Sequence, residues 1–279
     1  MSNITFVLFT FNEEHRIEYI VRNLRPYGEV FLLDGGSTDK TQEIGEKFGA
    51  KFFLRPDRVT VQVENQANFD FIKSIVKTPW IFWSYVDNFL PKALLKKLTE
   101  VSKQDKFKSV YVPIDTYLFG DTVHPIIRAS YACFFQKEYM DFSSNRIHGM
   151  GKFTGNKDEV LHIPVTTEYA MKHFSLYDLT KFVQGHVRYA EPEARDRIAH
   201  GEHFSFWHML ASMANYFRLF YRRGYKAGIK GFFAAMLYTF FRFMVWMRVY
   251  EIENGQTLES IEADFAKEKK RMVEEVESK

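Results

Sequence analysis

Three short stretches bring together residue types that could bind and transfer a charged group. The first is Thr10-Phe11-Asn12-Glu13-Glu14, a hydroxyl, a ring, an amide and two carboxylates in succession. Such a set offers an aromatic face to a nucleobase and polar groups to read its edge. It equally suits a helix start, with Asn12 as cap and the two glutamates complementing the dipole. The second stretch is Asp34-Gly35-Gly36-Ser37-Thr38-Asp39. Its glycines let backbone approach a ligand closely, or it is a tight turn with Ser37 or Thr38 as cap. In the third, Trp80-Ile81-Phe82-Trp83-Ser84-Tyr85-Val86-Asp87-Asn88, a nearly continuous apolar run ends in one carboxylate. Transfer from a nucleotide diphosphate builds charge on the leaving group, and a hard divalent cation held by one or two carboxylates neutralises it. Asp87-Asn88 could also simply close a turn before a helix near Pro91.

The elements that must position these stretches alternate regularly. Strands are expected at Ile4–Phe9, Glu29–Leu33, Lys51–Leu54, Trp80–Tyr85 and Ser109–Ile114. Helical patterns separate them at Glu13–Leu24, Thr38–Phe48, Val61–Val76 and Pro91–Ser102, the first with Ile17, Ile20, Val21 and Leu24 on one face. This alternation implies an α/β fold with right-handed crossovers, a mostly parallel sheet and helices on both faces. Ligands of such sheets sit at the carboxyl ends of the strands, where all three stretches fall.

Residues 115–173 read as mixed strand and loop, interrupted by Gly149, Gly151 and Gly155. Helices follow at roughly 175–200, 203–223 and 228–252, with a kink or break expected at Pro192. A tail from Thr257 to Ser278 carries Leu258, Ile261, Phe265, Met272 and Val276 in a heptad-like stripe, which suits a packed-back helix or a seam between two copies.

Composition bounds the function classes. The 279 residues are 46% hydrophobic and 26% charged, as in a folded globular chain. A formal net charge of +3 gives no ground for a nucleic-acid partner. The single cysteine, Cys133, permits no internal disulfide and reads as a buried apolar residue. The run Ile4–Phe9 is too short for a secretory signal core, so a cytoplasmic protein is expected. There is no G-x-G-x-x-G after the first strand, no Walker A run, no G-x-S-x-G and no H-E-x-x-H.

The motifs in tandem resemble the family 2 glycosyltransferases of GT-A fold. Thr10-Phe11-Asn12-Glu13-Glu14 is similar to that family's T-Y-N-E-E, Leu32-Leu33-Asp34-Gly35-Gly36-Ser37-Thr38-Asp39 to its V-V-D-S-G-S-T-D, and Trp80–Asn88 to its W-I-L-x-L-D-A-D-E. The C-terminal helices more loosely resemble the branch containing lipopolysaccharide-core glucosyltransferases. The resemblance implies a GT-A, Rossmann-like catalytic domain over residues 1–174 and a helical region, membrane-associating or oligomerising, over 175–279. It implies a nucleotide-diphosphate sugar donor, UDP-linked by family precedent, and a glycan or glycolipid acceptor. Thr10, Phe11, Asn12, Glu13 and Asp34 would hold the nucleotide, and Asp87 would hold Mg²⁺ or Mn²⁺ beside the diphosphate. Two departures stand out: Tyr85 occupies the place of the first carboxylate of D-x-D, and Asn88 that of the following Glu. The acceptor base that the related branch places after a His is absent from Arg146-Ile147-His148-Gly149, which leaves His148 as the candidate base. Arg128 is a candidate phosphate partner. These departures also suit a non-catalytic, membrane-bound scaffold that keeps the nucleotide site.

Residues 203–252 are expected to bind a membrane surface without crossing it. Phe204, Trp207, Leu210, Phe217 and Phe220 precede the cations Arg218, Arg222, Arg223, Lys226 and Lys230. The apolar run Gly231–Phe241 is half of what a span needs, about 20 residues, and Arg242 and Arg248 would lie at costly depth. An interfacial seat at the inner face of the membrane avoids that cost.

Overall fold

The computed structural model describes residues 2–58, 63–143, 149–175 and 178–278. The chain divides into two compact units, residues 1–177 with 223–231 and residues 178–222 with 232–279.

In the first unit, alternation of side chains decides the layering. Ile4, Phe6 and Leu8 of β1 (Ile4–Thr10) enter one core, while Val7 and Phe9 enter the other. The first core packs α1 (Ile17–Leu24), through Ile17, Ile20, Val21 and Leu24, and α4 (Lys92–Val101), through Leu94, Leu95 and Leu98. The second packs Phe69 and Ile72 of α3 (Gln66–Ile75) under β2 (Glu29–Asp34) and β4 (Trp80–Tyr85). Helix α2 (Thr41–Lys47) follows β2 and leads to β3 (Lys51–Leu54).

Beyond β4 come β5 (Asn88–Phe89), β6 (Ser109–Tyr117), β7 (Ile127–Gln136), the small pair β8 (Met140–Asp141) and β9 (Lys152–Phe153), β10 (Val160–His162) and β11 (Met171–Phe174). The main sheet runs β3-β2-β1-β4-β7-β6-β11-β5, with β10 against β6. The first four strands are parallel; β7 is antiparallel to β4 and β6, and β11 is parallel to β6. This is the expected mostly parallel sheet with helices on both faces. Cys133 is buried in β7, and burial pushes its thiol up to about 12.

Three helices begin later than their periodicity suggests. Helix α1 starts at Ile17 rather than Glu13, α2 at Thr41 rather than Thr38, and α3 at Gln66 rather than Val61. Ahead of α1 and α2, the amides of Glu13, Glu14, Thr38 and Lys40 donate to side chains of the neighbouring loop, as described below.

In the second unit, α5 (Leu179–Ala199) continues through Pro192, so of the kink or break expected there the break does not occur. It is followed by α6 (Phe206–Gly224), α7 (Ile229–Glu253) and α8 (Leu258–Glu277). Ala194, Met209, Trp246 and Val249 form the shared core of α5, α6 and α7. The apolar run that the sequence ends at Arg242 is part of a 25-residue helix. That helix is long and apolar enough to cross a bilayer by length and composition alone. Arg242 does not interrupt it because the guanidinium turns inward: it donates to Glu193 Oε1 at 2.5 Å and to the Tyr216 hydroxyl at 3.0 Å. No residue of α8 is buried.

Candidate active site

The carboxyl ends of β1 and β2 are joined by side chains. Thr10 and Asp34 lie opposite one another in register, and Thr10 Oγ1 donates to Asp34 Oδ2 at 2.6 Å. The same carboxylate accepts from the Gly36 amide at 2.7 Å, the Ser37 amide at 2.6 Å and Ser37 Oγ at 2.7 Å. Asp34 is fully buried, and both its oxygens serve this turn. Its first visible task is therefore to shape the Gly35-Gly36-Ser37 loop, with Gly36 at φ 99°, a conformation that suits glycine.

Asn12 does the matching work from the other loop. It sits at φ 55°, its amide donates to Ser37 Oγ at 2.7 Å, and its Oδ1 accepts from the Thr38 amide at 2.9 Å. It therefore bridges two loops rather than capping α1. The Glu13 amide donates to Thr41 Oγ1, the Glu14 amide to Asp39 Oδ2, and the Lys40 amide to Glu14 Oε2. Above this stitching the Phe11 ring is 59% exposed, free to stack on a planar ligand. Gly35 lies beside it, and a Cβ there would stand 3.4 Å from the Phe11 ring and 3.2 Å from the Arg55 guanidinium. A ring, a bare backbone and a cation thus line one open surface.

Asp87 follows β4. Its Oδ2 lies 3.0 Å from Nε2 of His173, near the end of β11. Ser175 Oγ is also 3.0 Å from that nitrogen, and Thr116 Oγ1 of β6 is 3.3 Å from Nδ1, so both ring nitrogens are engaged. Asp87 Oδ1 is buried without a hydrogen-bond partner, as is Asn88 Oδ1. A buried, unpartnered carboxylate oxygen is costly, and a cation is the natural group to complete it. Glu13 responds to the same surroundings. Burial pushes its carboxyl up to about 7, Arg16 beside it pulls the other way, and the charge of Asp87 adds to the rise. Among the described residues no three or more His, Cys, Asp or Glu side chains gather as a ready-made metal cage.

Tyr85 points elsewhere. Its hydroxyl bonds Glu64, ahead of α3, and burial raises the Glu64 carboxyl above its ordinary range. The guanidinium of Arg128 is committed to Asp115, Nε to Oδ1 at 2.6 Å and Nη2 to Oδ2 at 2.8 Å. It neutralises a fully buried carboxylate rather than standing ready for a phosphate. His148 lies outside the described residues.

The structure brings together Thr10, Asn12, Glu13 and Asp34 across two loops, and it adds His173, Thr116 and Ser175 to Asp87. Sequence reasoning did not single out His173. Its one signal is position: it lies on the last strand before the helical unit, 25 residues beyond the Arg146-Ile147-His148-Gly149 stretch on which the resemblance was placed.

Residues 5–163 match the family model for glycosyl transferase family 2. The chain belongs to that family. Over 263 residues it is 27% identical to an uncharacterized glycosyltransferase of Rickettsia bellii, covering 90% of this chain and 87% of the relative. It is 22% identical over 256 residues to the lipopolysaccharide core biosynthesis glycosyltransferase LpsC of Rhizobium meliloti, covering 86% and 89%. Among solved structures, glucosyl-3-phosphoglycerate synthase from Mycobacterium tuberculosis, in complex with Mn²⁺, UDP and phosphoglyceric acid, aligns with a TM-score of 0.41. That alignment has 17% identity over 64% of this chain and 73% of the synthase. The protein is a glycosyltransferase built on the GT-A sheet.

Proposed function

We propose that this transferase moves a sugar from a nucleotide-diphosphate sugar, UDP-linked, to a hydroxyl of a glycan or glycolipid in lipopolysaccharide or related cell-surface polysaccharide synthesis. The reaction proceeds with inversion, on an acceptor presented at the inner face of the cell membrane. The observation that carries this reading is the Asp87–His173 pair at the carboxyl edge of the sheet, with Asp87 Oδ1 buried and unpartnered. The relative named for lipopolysaccharide core biosynthesis supports the acceptor class.

In this reading Phe11 stacks on the base, and Asn12, Glu13 and the Gly35-Gly36 backbone follow the nucleoside. Thr10 and Asp34 hold those loops in shape. Asp87, through its unpartnered Oδ1, is the residue that would hold Mg²⁺ or Mn²⁺, with diphosphate oxygens and water completing the shell, as such hard ions accept. A bound divalent cation supplies neutralisation of charge on the leaving diphosphate. Thr116 and Ser175 fix the imidazole of His173, so the pair keeps its geometry whether or not donor is present. An acceptor oxygen attacks the anomeric carbon as the bond to the diphosphate breaks, its proton passing to a base for which His148 is the candidate.

Thermal shift with UDP-sugars, each with and without Mn²⁺, tests the site, and slow donor hydrolysis without acceptor tests turnover. Melting should rise most when nucleotide and metal are added together. If no nucleotide diphosphate moves the melting temperature with either metal, the assignment of the site fails. Stabilisation without any hydrolysis or transfer would instead leave a nucleotide-binding scaffold. Incorporation of labelled sugar into a lipopolysaccharide fraction, rather than into a soluble acceptor, tests the acceptor class.

A further inference from the structure

Between Glu202 and Glu251 the sequence contains no aspartate or glutamate, while it contains seven arginines and lysines. Helices α6 and α7 occupy most of that stretch, and each exposes large apolar side chains. On α7 the buried face carries Ala234, Ala235, Phe241, Val245 and Val249, packed within its own unit. The opposite face carries Ile229, Phe232, Phe233, Met236 and Phe240, all exposed. Their intervals of three, one, three and four keep them on one stripe of about 100°. No charge interrupts that stripe: Arg242 lies on the buried face, where it meets Glu193. On α6 the exposed stripe is Trp207, Leu210, Arg218, Tyr221 and Arg222. The Phe217 and Phe232 rings meet edge to face at 6.2 Å, and Phe220 stacks on Tyr238 at 4.1 Å, so the two helices are paired.

We infer that this α6–α7 face is a docking surface for an anionic lipid bilayer, which it enters to the depth of its aromatic side chains. The choice of occupant follows from charge. A second copy of this chain placed on the face would set arginine against arginine with no carboxylate to meet it, since none occurs between Glu202 and Glu251. Anionic headgroups supply the missing charge, and the acyl boundary receives the rings. Spanning is disfavoured by the same geometry: one face of α7 is the core of its own unit and is tied to α5 through Arg242 and Glu193. This inference concerns the helical unit and holds whether or not the donor assignment is right.

The protein carries its own reporter. Of its four tryptophans, Trp80, Trp83 and Trp246 are at most 5% exposed, while Trp207 is 75% exposed. Full-length protein is titrated with phosphatidylcholine vesicles and with vesicles that also contain phosphatidylglycerol, and tryptophan emission and flotation are read together. Mixed vesicles should shift the emission to shorter wavelength and carry the protein up the gradient; phosphatidylcholine alone should do so weakly. Trp207→Phe should abolish the shift and keep the flotation. Arg218→Gln with Arg222→Gln should weaken partitioning roughly 30-fold, about 1 kcal/mol for each cation. Phe233→Ser with Met236→Ser should remove flotation while the melting temperature holds, since both side chains are exposed. Three results would overturn the inference: protein left in the soluble fraction with mixed vesicles at low salt, a dimer by light scattering that hides Trp207 without lipid, or retention on native membranes after alkaline carbonate washing. UDP-sugar thermal shift on the same samples reports separately on the donor site.

Discussion

The sheet-based unit and the helical unit both hide charge, and they leave opposite kinds of group incomplete. In the first, Asp34 is saturated by hydroxyls and amides and Asp115 by Arg128, while Asp87 keeps a buried oxygen with no partner. In the second, Glu193 neutralises Arg242, and what is left over is apolar: rings on the outside of α6 and α7. Unsatisfied polar atoms ask for a small charged ligand, and unsatisfied apolar area asks for a surface that removes it from water. A transferase that meets its acceptor at a membrane, as proposed above, needs both, one for the donor and one for the place where the acceptor is met. The two burials also differ in purpose. Asp34 shapes the loop of the proposed donor site, whereas Glu193 neutralises a cation that lies on the buried face of α7.

The comparison breaks most sharply at Glu193. Glu193→Ala leaves Arg242, 5% exposed, with Tyr216 as its remaining partner, and deprives Arg197 of one of its two carboxylates. Removing one partner of a buried pair costs about 4 kcal/mol, and chemical denaturation should show a loss of that size. The double variant Glu193→Ala, Arg242→Met should recover most of it, because no charge is then stranded. If Glu193→Ala is neutral, the pair is not what admits Arg242 to the middle of α7. Asp34→Ala should follow closely, with a loss of about 3 kcal/mol, since four donors lose their acceptor at once. Nucleotide binding should fall with it. A variant with wild-type stability and lost binding would move Asp34 from shaping the loop to touching the ligand.

Asp87→Asn sharpens the other side. The side chain keeps its shape and its neighbours but loses the charge that would hold a divalent cation, so the fold should stand. Donor turnover should drop about a hundredfold, equivalent to about 2.7 kcal/mol. The stabilisation by nucleotide that depends on Mn²⁺ should vanish. Full turnover in the variant, or in wild type with excess chelator, excludes Asp87 as a metal ligand.

Much of this was legible in the residues, and the reasons for the gaps are physical. The alternation of Ile4, Phe6 and Leu8 with Val7 and Phe9 marks a doubly covered strand, and the tandem loops at Thr10 and Asp34 mark where its ligand edge lies. The starts of α1 and α2 were misplaced because Asn12, Asp39 and Thr41 offered the backbone better partners across the loop than along the helix. His173 carries no local signal: its partner Asp87 is 86 positions away, and the four-residue strand that delivers it is set by pairing with β6. Arg242 misled for the same reason. Read along the chain it ends an apolar run, and only Glu193, 49 positions earlier, makes it compatible with a long helix.

The last effect is the most specific to the donor site. Glu13 is pushed from an ordinary 4.5 to about 7, chiefly by burial, with Arg16 opposing and Asp87 adding to the rise. A carboxyl raised on folding favours the folded state in its protonated form. Its stabilising contribution is therefore complete below about 4.5, falls as pH climbs toward 7, and is gone above that. Glutamine cannot ionise and escapes the loss. Glu13→Gln should therefore melt close to wild type at the acid end, gain on it between about 4.5 and 7, and hold a constant advantage above. Melting curves of both proteins across that range check the sign. An advantage that shrinks with rising pH would mean that the ion pair with Arg16, not burial, governs Glu13, and would reverse the electrostatic reading of this edge of the sheet.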